Sequence, residues 1–139
     1  MDNKKNNQSN EYENQTPKVT GIGGIFFFAE DKQNLSQWYS DHLGMEVTEW
    51  GATFESRNIE NPDKVLQLQW SPFKTGSDYF SPSEKEFMIN YTVQNIEGLV
   101  EKLKESGITV LDEIASYDYG KFVHIMDPEG NKIELWEPL

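Results

Sequence analysis

The second half of this sequence repeats the plan of the first. Residues 19–30 (VTGIGGIFFFAE) have the apolar and β-branched character of a strand, and Asp31 can N-cap a helix over 32–43. Along that helix Leu35, Trp38, Tyr39 and His42 recur at helical spacing, and Gly44 stands where a helix stop calls for a left-handed residue. Short strands are expected at 46–50, 52–57 and 65–70, the last two separated by an Asn61-Pro62-Asp63 turn. After a loop over 71–85 rich in Pro, Gly and Ser, the series restarts. Residues 86–93 (EFMINYTV) read as a strand, and Asn95 opens a helix with Ile96, Leu99, Val100 and Leu103 on one stripe, closed by Gly107. Strands follow at 108–114, 121–126 and 132–136, the last two joined by an Asp127-Pro128-Glu129-Gly130-Asn131 turn.

The repetition reaches individual residues. Leu66-Gln67-Leu68 is answered by Ile133-Glu134-Leu135, each followed closely by Trp and Pro, and Leu35 and Tyr39 are answered by Leu99 and Leu103. One half alone would have four strands and one helix, leaving a sheet face bare. Pairing the halves covers it. The expected fold is therefore α+β: two tandem βαβββ modules, about 18–72 and 86–139, whose curved mixed sheets enclose a central cleft within a single domain over 18–139.

Residues 1–17 contain no aliphatic side chain beyond Met1, so they are expected to form a disordered polar tail. They lack the apolar core of a secretory signal, and no stretch approaches the roughly 20 apolar residues that span a bilayer. Cysteine is absent, which removes disulfides, thiolate nucleophiles and zinc–cysteine sites and fits a cytoplasmic location. The net charge of −12 repels phosphate backbones and anionic lipids, so neither nucleic acid nor membrane is an expected partner.

Two segments carry a family resemblance. Residues 127–138 (DPEGNKIELWEP) are similar to a C-terminal DP-x-GN-x-IEL-WEP pattern, and Trp38-Tyr39 through His42-Leu43-Gly44-Met45 resembles an aromatic-Tyr, Leu-Gly helix ending. With the repeat, they identify the chain as similar to the vicinal oxygen chelate superfamily of glyoxalase I, bleomycin- and fosfomycin-resistance proteins and extradiol dioxygenases. Because bleomycin-resistance proteins of this family are acidic dimers, the resemblance implies a homodimer. It leaves the reaction open, because this scaffold hosts many chemistries. Metalloenzymes of the family take one ligand from the first and one from the last strand of each half. Those positions here fall at Gly24, Gln67, Met88 and Glu134. Glu134 suits a divalent cation and Gln67 offers a carbonyl oxygen, but Gly24 has no side chain and Met88 is a poor ligand for hard cations. No cofactor is firmly implied; if a metal is bound, Glu134 and Gln67 would hold it.

Strand periodicity then proposes a pocket, because side chains two apart share a face. Ile133 and Leu135 look helix-covered, so Glu134 and Trp136 face the cleft. By the same parity so do Gln67 and Gln69, Met88 and Asn90, and Phe26 and Phe28, while Phe27 reads as core. His124 shares its face with Phe122 and Met126 and is a candidate catalytic residue beside Glu134, although neither histidine has an evident orienting acid. His42 reads as a partner of its helix dipole. Gly21-Ile22-Gly23-Gly24 opens no helix and is not a phosphate loop. A carboxylate walled by Phe and Trp is expected to have a raised pKa. The expected function is binding of a small organic molecule in the cleft, with or without turnover. A non-catalytic protein that sequesters a cationic drug or metabolite, as the −12 charge suits, and a divalent-metal lyase, isomerase or dioxygenase are the alternatives.

Overall fold

The computed structural model describes residues 15–139. Strand β1 (Lys18–Ala29) leads to helix α1 (Lys32–Leu43), then β2 (Ala52–Arg57) and β3 (Val65–Lys74). A single helical turn, Asp78–Phe80, precedes the second half: β4 (Phe87–Gln94), α2 (Ile96–Glu105), β5 (Ala115–Tyr117), β6 (Gly120–Met126) and β7 (Lys132–Glu137). The tandem modules are joined edge to edge by antiparallel pairing of β1 with β4, giving one open seven-stranded mixed sheet in the order β2-β3-β1-β4-β7-β6-β5. Each half contributes one parallel pair, β1 with β3 and β4 with β7.

The helix ends follow from local chemistry. Asp31 accepts from Asn34 N at 3.0 Å, and Gly44, at φ 67°, closes α1. Asn95 caps α2 by accepting from Gly98 N at 3.1 Å. In the turn before β7, Asp127 accepts from the amides of Glu129 and Asn131, with Gly130 at φ 80°.

The two halves are packed unequally. Ile96 and Val100 of α2 sit in a core with Val93, Val123, Ile125 and Leu135, flanked by Leu99, Leu103 and Ile133. No residue of α1 is buried. Tyr39 rests on Trp70, whose ring also meets Phe27, while Trp38 is half exposed. The expected apolar stripe of α1 is thus only partly used.

Two expected strands differ. Residues 46–50 form no strand: Thr48 and Gly51 exchange backbone hydrogen bonds of 2.7 and 3.1 Å, turning the chain tightly with Gly51 at φ 119°. Residues 108–114 pair with β6 only through the Val110–Ile125 bridge and the Leu111–His124 and Met126–Thr109 bonds. Residues 111–114 belong to no strand, and β5 begins at Ala115. Residues 1–14, most of the expected polar tail, lie outside the described residues. Within it, the carbonyls of Gln15 and Thr16 accept from Asn95 Nδ2 and Gln94 Nε2. Among the described residues, no helix is long and apolar enough to cross a membrane.

Candidate functional site

Strand register assembles the site. One row runs across the sheet through Thr53, Gln69, Gly24, Asn90, Glu134 and His124. Its side chains lie on the face opposite the helices, because Ile133, Leu135, Val123 and Ile125 on either side of Glu134 and His124 belong to the helix-covered core. The parity argument for Glu134 therefore holds. Gln69, rather than Gln67, shares its row.

At the centre of the row the polar groups interlock. Glu134 is 4% exposed and His124 8%. Glu134 Oε1 accepts from Asn90 Nδ2 at 2.7 Å, and its Oε2 pairs with His124 Nε2 at 2.8 Å and accepts from the Tyr79 hydroxyl. On the far side of the imidazole, Asp112 Oδ2 lies 2.7 Å from Nδ1, while Oδ1 accepts from His124 N at 2.8 Å. Asp112 is thus the orienting acid of His124, contrary to the expectation that none exists. Its carboxylate meets the imidazole just past the Leu111–His124 bond, where residues 108–114 leave their pairing with β6. Both ring nitrogens face carboxylates, which is the geometry of an imidazolium between two anions.

The electrostatics agree from both partners. Burial alone would raise the pKa of Glu134, yet the bonds from His124, Tyr79 and Asn90 outweigh it and hold the carboxyl below its ordinary value. This corrects the expected raised value: the aromatic wall is present, but three donors converge on the carboxylate. For His124, burial lowers the pKa and the bonds to Glu134 and Asp112 overcome it, so the net direction is upward. Tyr79 is driven upward by burial and by the Glu134 charge, so its phenol keeps its proton and donates.

The remaining candidates have distinct places. Phe26 packs on Phe73 and Phe28 stacks on Phe80 at 4.8 Å, so both belong to an aromatic cluster on the cleft face. Met88 is fully buried and lines nothing open. Trp136 is buried against Phe122, its indole N–H bonded to Tyr119 O at 3.0 Å, and serves as packing beneath the site. Gln67 and Gln69 are tied to Glu55 and Thr53 across the β2–β3 pair. His42 stands in the last turn of α1, beside Trp38.

The donor set does not fit a divalent cation. Gly24 offers nothing, Met88 is closed in, Gln67 stands two residues along β3 from the row that holds Glu134, and the Glu134 oxygens are already taken by hydrogen-bond donors. A cavity of about 600 Å³, lined by residues including Asp31, Leu35 and Tyr39, lies where β1 passes into α1, away from these groups.

Sequence reasoning missed Asp112 and Tyr79. Asp112 left a trace: it interrupts the apolar alternation Ile108, Val110, Ile114, where a carboxylate needs a partner. Tyr79 left less, only an aromatic pair with Phe80 inside a Ser- and Pro-rich loop.

An open mixed sheet of paired modules, with a buried acid–imidazole cluster on the face opposite the helices, is an architecture of the glyoxalase type. The chain belongs to the Glyoxalase/Bleomycin resistance protein/Dioxygenase superfamily, whose pattern it matches over residues 14–135. It is 25% identical over 134 residues to the uncharacterized protein YetH of Bacillus subtilis (strain 168), covering 86% of this chain and 99% of that one. A Streptomyces coelicolor methylmalonyl-CoA epimerase in complex with 2-nitronate-propionyl-CoA has a similar fold at TM-score 0.63 and 14% identity, over 87% of this chain and 99% of that one. A superfamily member from Vibrio splendidus 12B01 aligns at TM-score 0.53 and 15% identity, over 88% and 99%. At such identities these structures speak to fold alone.

Proposed function

We propose that this chain binds a small carbonyl-bearing or aromatic molecule on the cleft face and moves a proton on it. Glu134 accepts the proton and His124 stabilises the charge that develops. The observation that carries the reading is the Asp112–His124–Glu134 chain, two carboxylates bracketing one imidazole in a largely buried row. A carboxylate held below its ordinary pKa is a weak base, so the substrate must supply an acidic proton, as a carbon next to a carbonyl does. The adjacent imidazolium favours the resulting enolate oxygen electrostatically. Asp112 keeps His124 oriented and charged, which makes it a positioning residue. That the fold-alike neighbours include methylmalonyl-CoA epimerases is compatible with proton transfer and says nothing further about the substrate.

The test is deuterium incorporation from heavy water into a panel of small ketones, aldehydes and 2-oxo acids, followed by NMR. Wild-type protein should accelerate exchange of at least one compound. Glu134→Gln, checked for folding by circular dichroism, should lower that rate about a hundredfold or more. Exchange at the wild-type rate in the variant would end the proposal. The net charge of −12 favours a second reading, in which the cleft sequesters a cationic molecule without turnover. Saturable binding of a cation with no exchange in any compound assigns that role instead. A homodimer in the cytoplasm fits either reading, and the exposed Trp38, Leu43, Trp50 and Phe54 of the first half support an association surface.

A further inference from the structure

Tyr79 reaches the site from outside the strands that build it. Its ring lies nearly parallel to Phe73, at 5.6 Å and 19°, and meets the edge of the His124 ring at 5.5 Å and 89°. The Lys132 ammonium stands over its face, 5.1 Å from the centroid. Its hydroxyl ends on Glu134 and His124. A stacking ring, a cation over the face and a carboxylate at the hydroxyl end are recognition elements for a flat ring bearing an acidic hydroxyl. None of them requires that the ring be attached to this chain.

The neighbouring residue shows which part of the turn is fixed. Phe80 is 1% exposed and packed on Phe28 and Phe73, whereas Tyr79 keeps 39% of its surface in solvent. Phe80 therefore pins the turn, and rotation of the Tyr79 side chain empties the place beside Glu134 without moving the backbone. Lys132 Nζ also donates to the Tyr79 backbone carbonyl at 2.6 Å, a bond that survives this rotation and leaves the cation over the vacated position.

We propose that Tyr79 holds the place of a planar ligand with a phenolic or enolic hydroxyl, and that such a ligand binds by displacing it. The proposal deepens the proton-transfer reading and rests on Glu134 as the acceptor in the site. The enolate left by removal of a proton beside a carbonyl becomes such an enol once Glu134 returns that proton to its oxygen, so the subsite suits an intermediate of that reaction. The hydroxyl proton is shared with Glu134 in the same way from Tyr79 or from ligand, and no bond is made or broken.

The probe is p-cresol, the tyrosine side chain as a free molecule, with toluene as the control lacking the hydroxyl. Folded Tyr79→Ala should bind p-cresol at least about tenfold more tightly than wild type, because the competing hydroxyl is gone. It should prefer p-cresol to toluene by a similar factor, and adding Glu134→Gln should remove that preference. Equal binding of the two compounds, or none by folded Tyr79→Ala, overturns the proposal. If Tyr79→Ala does not fold, wild-type protein labelled with meta-fluorotyrosine carries the test. The fluorine resonance of Tyr79, identified by its loss in Tyr79→Phe, must move as p-nitrophenol saturates the protein, and an unmoved resonance overturns the idea. Deuterium exchange lost in Glu134→Gln while p-cresol fails to bind rejects this subsite and keeps the proton-transfer reading. The reverse pattern rejects the reading and keeps the subsite.

Discussion

At His124 the chemistry of the site reduces to which groups hold a proton. The ring donates in both directions only while it is charged, and Asp112 is the partner that can be altered without entering the buried centre, since its side chain is 47% exposed. Asp112→Asn removes one anion from the imidazolium and leaves a group of the same size. The His124 pKa, followed by NMR of its ring proton, should fall toward or below the ordinary imidazole value, because burial then acts with less opposition. The cost in stability should be small, about 1 kcal/mol, since the lost pair is partly solvated. Proton-transfer activity should shift its pH profile toward acid, whereas an unmoved His124 titration would show that Asp112 serves the backbone amide alone. Glu134→Gln should behave differently. It places an amide N–H among donors where a carboxylate accepted three, and should cost about 3 kcal/mol in urea unfolding, the size linked to breaking a buried ion pair.

At the scale of elements, β1 is the strand on which both halves depend, and its glycines set how closely β4 and β7 approach. A Cβ at Gly23 would stand 2.8 Å from the Trp136 ring and 2.9 Å from Thr92, and closer still to Asn90 Oδ1. Gly23→Ala should therefore destabilise the fold by about 2 kcal/mol through overpacking, and loosen the Asn90–Glu134 contact with it. Gly44→Ala is the contrast: nothing lies within 4 Å, so only its left-handed φ of 67° is penalised, at about 1 kcal/mol. Equal costs at the two positions in denaturant titrations would show that β1 yields to the added methyl. The sequence made most of this framework legible. Caps, turns and period-two parity located both helices and turned Glu134 and Asn90 to one face, because those signals act between residues close in the chain. What escaped depended on distant partners. The 46–50 strand failed because a tight Thr48–Gly51 turn won over its β character, and Asp112 became a site residue only through the register of residues 108–112 against β6. Tyr79 needed the position of a whole turn over the sheet, which Phe80 secures by burial and no local pattern announces.

The molecule as a whole should show the charge state of this row in its pH dependence. Glu134 has a folded pKa below its unfolded one, so its contribution is present above the ordinary carboxylate value and is lost as pH falls through the folded value. His124 has a folded pKa above its unfolded one, so its contribution is complete below the ordinary imidazole value and is lost as pH rises through the folded value. The two windows overlap, and the ion pair should contribute most between about pH 5 and pH 6.5. A background effect of another origin runs beneath it: a chain of net charge −12 repels itself near neutrality, and salt relieves that repulsion more than it weakens a buried pair. Wild-type stability alone mixes the two, so the informative quantity is a difference. His124→Gln removes the titrating ring while changing the net charge of the surface little. The gap in urea unfolding free energy between wild type and His124→Gln should be widest inside the window and narrow on both sides. It should also survive moderate salt, since Glu134 and His124 are shielded from the ionic atmosphere by their burial. A gap that stays constant with pH would mean that His124 is held neutral and that its contacts are those of a packed ring. The imidazolium between Asp112 and Glu134, on which the proposed chemistry depends, would then be absent.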